Sequence, residues 1–149
     1  MNDNDRMPPL LRYVWASPAT AIGVTWAALA LHRGRLGIVD GVLEASGPWL
    51  DWTLRRVVPL PGGALAITLG HVVIGRDAGA LAVTRAHERV HVRQYERWGP
   101  LFLPAYALAS VVAVVRGGHP YHDNWFEREP SRADAASVDV SGAGGSSSR

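Results

Sequence analysis

Two histidines and a glutamate in the segment His87-Glu88-Arg89-Val90-His91 form the pattern in this sequence with the clearest chemical meaning. In a helix, residues four apart lie on the same face, so the two imidazoles would point the same way, one turn apart. Two ring nitrogens on such a support can bind one zinc ion, and a neighbouring carboxylate can accept a proton from water. The segment therefore predicts a zinc (Zn2+) site with His87 and His91 as ligands and Glu88 as the general base.

This segment lies in a predicted helix from about Ala80 to Trp98. Gly99-Pro100 ends it, because glycine stops a helix easily and proline cannot continue one. At about 100° per residue, the face opposite the two histidines is almost wholly charged and carries Arg85, Arg89, Arg93, Glu96 and Arg97. We expect the charged face to be solvated and the histidines to point inward, and anionic lipid headgroups would also suit the arginines.

The histidine face of this helix also holds Thr84, Gln94 and Trp98 by the same count. Gln94 lies about one turn past His91, so it is expected to accept an imidazole N–H, to hold a water, or to meet a backbone group as an ordinary buried amide. Core and helix packing, or a membrane interface, is expected for the aromatic residues Tyr95, Trp98, Phe102 and Tyr106.

A catalytic zinc needs a third protein ligand. The 149-residue chain has no cysteine, which excludes a thiolate zinc site and a disulfide framework. The remaining candidates are Glu127, Glu129, His119, His122 and His71. Of these, His119 and His122 lie in a predicted loop and are expected at the surface or in contact with substrate. His71 lies in a predicted strand, where it is expected to be packed or hydrogen-bonded, or to line a cleft.

Glu127 has two explanations. Asn124-Trp125-Phe126-Glu127 fits a capping box, in which the Glu127 carboxylate reaches back to the Asn124 amide. Pro130 follows so closely that such a helix would be short, and capping it would stabilise little. Glu127 is therefore favoured as the third ligand, with Glu129 as the fallback.

Residues 84–99 and 121–129 resemble the HExxH zinc peptidases, or zincins, and within them the gluzincins, whose third ligand is a downstream glutamate. In the membrane-embedded branch that includes the CAAX prenyl protease and bacterial heat-shock peptidases, this glutamate lies in a Phe-Glu-containing helix, which Phe126-Glu127 resembles. The resemblance implies a zinc-dependent peptidase that acts on a peptide or protein substrate, with Glu88 as the general base and three ligands, His87, His91 and Glu127.

The elements that must position this site can be predicted from apolar runs and turn residues. Two uncharged runs, Tyr13 to Leu31 and Trp98 to Val115, are predicted helices that approach the length of a bilayer span. Between Leu36 and Gly47, Asp40-Gly41 predicts a hairpin, and residues 64–75 predict one or two further strands. The expected fold is α+β: an apolar N-terminal helix, a short antiparallel sheet of three or four strands, the HExxH helix and a second apolar helix.

One domain is expected over residues 10–134, with a disordered N-terminus at 1–9 and a disordered Gly- and Ser-rich tail at 135–149. A cleavable signal peptide is not expected, because the first apolar run contains Pro18 and lacks a small-residue cleavage site. The location is expected to be membrane-associated, with lipid contacts, or cytoplasmic. All 15 basic residues are arginines, but no recognition motif accompanies them, so nucleic acid is not expected as a partner. The sequence leaves the oligomeric state open.

Together these patterns predict a zinc metallopeptidase that hydrolyses amide bonds. The alternative is a non-catalytic protein, either one that binds zinc structurally or a membrane-associated interaction protein. The small size of the chain favours the alternative, because it leaves little room for a substrate cleft.

Overall fold

The computed structural model describes residues 8–58, 62–132 and 134–135. It has four main helices and a four-stranded sheet, so the expected α+β class is confirmed. The chain divides into two compact units, Met1–Phe102 and Leu103–Arg149. The ends expected to be disordered lie almost wholly outside the described residues, and a single domain over 10–134 stays a prediction.

The first unit contains three of the helices and all four strands. Their order along the chain is α1 (Pro9–Ala27), β1 (Arg35–Val39), β2 (Val42–Ser46), α2 (Pro48–Val57), β3 (Ala66–Leu69), β4 (Val72–Gly75) and α3 (Ala78–Trp98). A 3-10 turn at Ala28–Leu31 extends α1, and another at Gly99–Leu101 follows α3. The helix predicted around the two histidines is therefore confirmed, and it ends at the predicted residue.

The sheet has the strand order β1-β2-β4-β3. β1 and β2 form the hairpin predicted at Asp40-Gly41, and β3 and β4 form a second antiparallel pair. β2 pairs with β4 in parallel, so the sheet is mixed rather than wholly antiparallel. A parallel pair needs a crossover connection, and this connection contains α2, a helix that the apolar pattern does not predict.

Helix α1 packs through small residues and exposes its large ones. A Cβ added at Gly23 would lie 2.8 Å from Val72 Cβ, so α1 and β4 are in close contact. The same face buries Ala16, Ala19 and Ala27. The opposite face has large apolar side chains that are at least 48% exposed, namely Leu10, Val14, Ile22 and Val24. This pattern is the reverse of an amphipathic helix in water and is typical of helix packing in membranes.

Polar contacts set the rotation of α3 on the sheet. Arg85 donates two hydrogen bonds to the carboxylate of Glu44, at 3.0 and 2.9 Å, and Glu44 is only 8% exposed. The hydrogen bond to Glu44 raises the pKa of Arg85 above its usual value. On a neighbouring part of the helix surface, Thr68 Oγ1 of β3 donates to Glu88 Oε2 at 2.7 Å. Two strands thus hold one side of α3.

The charged face of α3 is only partly solvated, which corrects the expectation from the sequence. Arg89 donates to the carbonyl oxygen of Val39, and its side chain is 17% exposed. Arg93 and Arg97 are exposed. Helical spacing places these arginines on one side of the helix. It does not show that the sheet offers the buried carboxylate of Glu44 to Arg85 and Arg89.

The second unit is built on α4 (Phe102–Val115), followed by a loop and a 3-10 turn at Trp125–Glu127. Asn124 is completely buried and joins these elements. Its side-chain amide donates to the Tyr106 carbonyl at 3.1 Å and to Ser110 Oγ at 2.8 Å, and its Oδ1 accepts from the Phe126 amide at 2.9 Å. The turn that carries Glu127 is therefore fixed to α4.

Two helical stretches are long and apolar enough to cross a membrane, Leu10–Leu31 and Ala78–Val115. Their most apolar windows have mean hydropathies of 1.4 and 1.8. Only 28% and 17% of these windows is buried within the structure. The core helix of a water-soluble protein meets the same length and hydropathy criteria, but such a helix is mostly buried.

Gly70, in the turn between β3 and β4, offers a test of this close packing. It has a φ of 63°, and a Cβ there would lie 2.6 Å from Thr20 N. We expect Gly70→Ala to lower the free energy of unfolding by about 3 kcal/mol or more, because left-handed strain of ~1–2 kcal/mol adds to overpacking of ~1–3 kcal/mol. Denaturant unfolding followed by circular dichroism measures the change.

Gly62→Ala is the matched control. Gly62 also has a positive φ, 79°, but a Cβ there would meet no described atom within 4 Å. This variant should lose only about 1 kcal/mol. Equal losses in the two variants would contradict the close approach of α1 to the β3–β4 turn.

Candidate metal centre

His87 and His91 lie on the buried side of α3. Each is 9% exposed, and their Nε2 atoms are 3.2 Å apart. Two nitrogen ligands of a tetrahedral zinc are about 3.3 Å apart, since each Zn–N bond is about 2.0–2.1 Å long. The spacing of the two imidazoles therefore fits a shared metal ion.

Gln94 fixes the orientation of His91. Its Oε1 lies 2.9 Å from His91 Nδ1. Because an amide oxygen can only accept, Nδ1 carries the hydrogen, and in the neutral imidazole Nε2 then keeps its lone pair. Phe102 packs on the same imidazole, with the ring centroids 6.1 Å apart. Gln94 thus accepts the imidazole N–H, one of the roles expected from its position on the helix.

Glu127 lies with the two histidines. One carboxylate oxygen of Glu127, one ring nitrogen of His87 and one of His91 all lie within 4.8 Å of one another, and all three residues are buried. The hydroxyl of Tyr106 donates to Glu127 Oε1 at 2.6 Å and so orients the carboxylate. These three residues, here called the His-His-Glu cluster, lie close enough to bind a metal ion.

The capping explanation of this segment holds for the side chain of Asn124 but not for its backbone N–H. Asn124 Oδ1 accepts from the Phe126 N–H, as a capping side chain does. The Asn124 N–H, however, donates to the Tyr121 carbonyl oxygen at 3.1 Å. Capping therefore does not account for the position of the Glu127 carboxylate.

Three other candidate ligands lie at the surface. Glu129 is exposed, which removes the fallback ligand. His119 and His122 are also exposed, and their ring centroids are 4.6 Å apart in the loop after α4. The loop position expected for these two histidines is confirmed.

His71 is buried but belongs to a different set of contacts. Its Nε2 lies 3.0 Å from Glu96 Oε1, and its ring stacks on Tyr13 with the centroids 4.2 Å apart. Its backbone N–H donates to Thr20 Oγ1 at 3.1 Å. His71 is therefore packed and hydrogen-bonded, which is one of the roles expected from the sequence. Its contacts join α1 to α3.

Glu88 directly follows His87 in the sequence and is buried, with an exposed fraction of 5%. Thr68 Oγ1 holds one oxygen of its carboxylate. Two turns along the helix, burial raises the pKa of the Tyr95 phenol, and the Glu88 carboxylate raises it further. Tyr95 therefore stays neutral at ordinary pH, and Glu88 is held in surroundings from which water is largely excluded.

Thr68 and Tyr106 orient the carboxylates of Glu88 and Glu127, and neither role has a clear signal in the sequence. Thr68 contacts Glu88 across 20 residues, and Tyr106 contacts Glu127 across 21 residues. Helical spacing relates only neighbouring turns, so it cannot show either pairing. The one available hint is that Tyr106 belongs to an otherwise apolar helix, where a phenol hydroxyl needs a partner.

Comparisons with protein-family models, with curated proteins and with solved structures found no match to this chain. The donor set and its geometry are thus the observations from which a function can be proposed.

A metal-binding assay tests the cluster. We expect the purified chain to retain one divalent ion per molecule, and His87→Gln, His91→Gln or Glu127→Gln to weaken binding by at least about 100-fold, since loss of an outer partner alone costs 10–100-fold. Mass spectrometry of bound metals after dialysis, and the visible absorption of the Co2+ form, measure this. The exposed His122→Gln is the control. A wild-type chain without metal, or an equal loss in the control, would contradict the assignment.

Proposed function

We propose that this chain is a zinc-dependent hydrolase of amide bonds, with a peptide or protein as its substrate. The observation that carries the proposal is the buried His-His-Glu cluster, with Glu88 next to one of its histidines on the same helix. Zinc is the proposed ion because two imidazoles and one carboxylate are a frequent ligand set of catalytic zinc, and three protein ligands leave a fourth position open.

The ligand side chains are supported as such a site requires. Gln94 accepts from His91 Nδ1, so the opposite nitrogen is available to a cation. Tyr106 donates to one oxygen of Glu127 and restricts how that carboxylate can turn. Metal-binding histidines and carboxylates in proteins usually have outer partners of these two kinds.

Glu88 is the proposed general base. When bound, zinc would polarise the scissile carbonyl and lower the pKa of a water molecule. Glu88 would accept the proton of the attacking water and pass it to the leaving nitrogen. Thr68 of β3 donates to Glu88 Oε2, so the proton transfers are assigned to Oε1, the other oxygen of the carboxylate.

One observation favours a second candidate function, a structural zinc site without catalysis. All three cluster residues are nearly inaccessible, with exposed fractions of 9%, 9% and 2%. A substrate carbonyl must reach the metal for hydrolysis, whereas a structural ion needs no access and takes a fourth protein ligand. Identification of the fourth ligand separates the two functions.

Replacement of the proposed base tests the hydrolase directly. We expect Glu88→Gln to keep its bound zinc and its fold, because the amide can still accept from Thr68, and to lower the rate of peptide cleavage by at least about 100-fold. Cleavage of internally quenched casein, with zinc measured on the same samples, reports both properties. The exposed Glu129→Gln is the matched control and should cleave at the wild-type rate.

Two outcomes would count against parts of this proposal. Retained cleavage in Glu88→Gln would remove Glu88 from the mechanism. A wild-type chain with stoichiometric zinc and no cleavage of casein would favour the structural site.

We also propose that the chain is membrane-associated, with the outward faces of α1 and α4 in contact with lipid. The support is the exposure of large apolar residues on both helices, including Leu108 at 65%, Val111 at 57% and Val115 at 80% on α4. Contiguous apolar surface of this kind is rare on proteins surrounded by water.

Alkaline carbonate extraction of expressing cells tests this location. We expect the chain to sediment with the membranes, and the triple variant Leu108→Asn, Val111→Asn, Val115→Asn to shift toward the supernatant, because amide side chains are costly to transfer into lipid. The double variant Val111→Leu, Val115→Leu keeps the surface apolar and serves as the control. Recovery of the wild-type chain in the supernatant would contradict insertion of these helix faces into lipid.

A further inference from the structure

We propose that a cavity in the first unit, separate from the His-His-Glu cluster, binds the phosphate group of an anionic ligand. The cavity has a volume of about 550 Å³, which is large enough for a phosphate with part of the molecule that carries it. Four arginines, two aspartates, Ser46 and the first residues of two helices line it. None of the cluster residues does, so this proposal stands independently of the proposed hydrolase.

The two aspartates of the cavity are already engaged. Asp51 Oδ1 accepts from Arg55 Nε at 2.8 Å and lies 3.6 Å from Arg76 Nε. Asp77 Oδ1 caps α3 by accepting from the Ala80 amide at 2.8 Å. Of the four lining arginines, Arg55 and Arg76 thus share the carboxylate of Asp51. The cavity keeps an excess of positive charge.

Arg33 and Arg35 supply that excess. Neither has an ion pair or a side-chain hydrogen bond within the part of the chain that the structure describes. Arg33 also has a φ of 65°, a left-handed conformation that is unfavourable for a residue with a side chain. Planar guanidinium groups bind phosphate oxygens through paired hydrogen bonds, so two unengaged arginines at one cavity indicate a tetrahedral oxyanion.

Ser46 provides a separate observation inside the cavity. It is 4% exposed, and among the described residues its hydroxyl has no hydrogen-bond partner. The hydroxyl is not one of the fully buried atoms that lack a partner, so water reaches it through the cavity, and a phosphate oxygen could take the place of that water. The side chain lies at the end of β2, directly before the start of α2, and lines the cavity.

The backbone around the cavity adds positive potential. Gly47 and Pro48 begin α2, and Asp77 and Ala78 begin α3, and all four line the cavity. The first amide groups of a helix carry partial positive charge and suit an anion. Arginine side chains, the Ser46 hydroxyl and two helix starts therefore favour the same kind of ligand.

The phosphate could belong to a lipid headgroup or to a soluble molecule. Arg33 and Arg35 lie two and four residues after Leu31, where the apolar stretch Leu10–Leu31 ends. Arginines at the end of an apolar helix lie at the depth of lipid headgroups when that helix contacts a bilayer. The chemistry recognised is the same in both cases, so the experiment must separate the two sources.

Two titrations of the 149-residue chain test the proposal. Inorganic phosphate is titrated by calorimetry at constant ionic strength, with chloride as the reference anion. Phosphatidylcholine vesicles that contain phosphatidic acid, whose phosphate is a terminal monoester, are compared in a sedimentation assay with vesicles of equal charge that contain phosphatidylserine, whose phosphate is a diester substituted by serine. Binding of both phosphate and phosphatidic acid vesicles supports recognition of the group from either source, and preferential binding of phosphatidic acid vesicles alone supports a lipid headgroup.

The variant Arg33→Gln, Arg35→Gln should weaken binding by about tenfold or more, and Ser46→Ala by several-fold, because hydrogen bonds to charged groups are lost. Arg128→Gln, Arg132→Gln removes the same charge from exposed positions outside the cavity and should leave the affinity unchanged. All substituted arginines are exposed, and the unfolding midpoints verify that each variant folds. Absence of binding to both probes, or an equal loss in the two double variants, would overturn the proposal.

Discussion

The rotation of α3 about its own axis is the constraint on which the candidate site depends. At about 100° per residue, Arg85 and Arg89 lie roughly opposite the two histidines, with Glu88 between the two directions. Glu44 holds Arg85 from one side, and Thr68 holds Glu88 from an adjacent one. Because an unpaired buried carboxylate is strongly unfavourable, Glu44 disfavours any rotation that would release these arginines. The histidines therefore face away from the sheet as a consequence of contacts on the other side of the helix.

Local periodicity is enough to predict α3 and its buried side. The limits of the helix, the inward histidines and the contact of Gln94 with His91 all follow from residues within two turns of one another. The same periodicity misassigns Arg89, because the carboxylate that attracts it lies on a strand 45 residues earlier in the chain. Glu127 could be predicted from its chemistry and from a family resemblance, whereas its partner Tyr106 could not, since that contact forms only after the turn folds onto α4.

The sheet shows the same limit at a larger scale. The Asp40-Gly41 hairpin follows from two turn residues, and it is present. The parallel pairing of β2 with β4 depends on the crossover that contains α2 and has no local signal. Helix α2 does carry end signals, with Pro48 at its start, Asp51 in its first turn, and Arg55 and Arg56 in its last. Its buried apolar residues, Leu50 and Leu54, are too few to produce a visible apolar stripe.

The small-residue face of α1 has a consequence for how the protein is made. Gly23 of α1 needs Val72 of β4 as its packing partner, and Thr20 accepts a hydrogen bond from a residue 51 positions later. During synthesis, α1 leaves the ribosome well before either partner exists, with its large apolar side chains uncovered. In that interval the small-residue face of α1 has no strand to pack against, so this helix stays uncovered until β4 has been synthesised and folded.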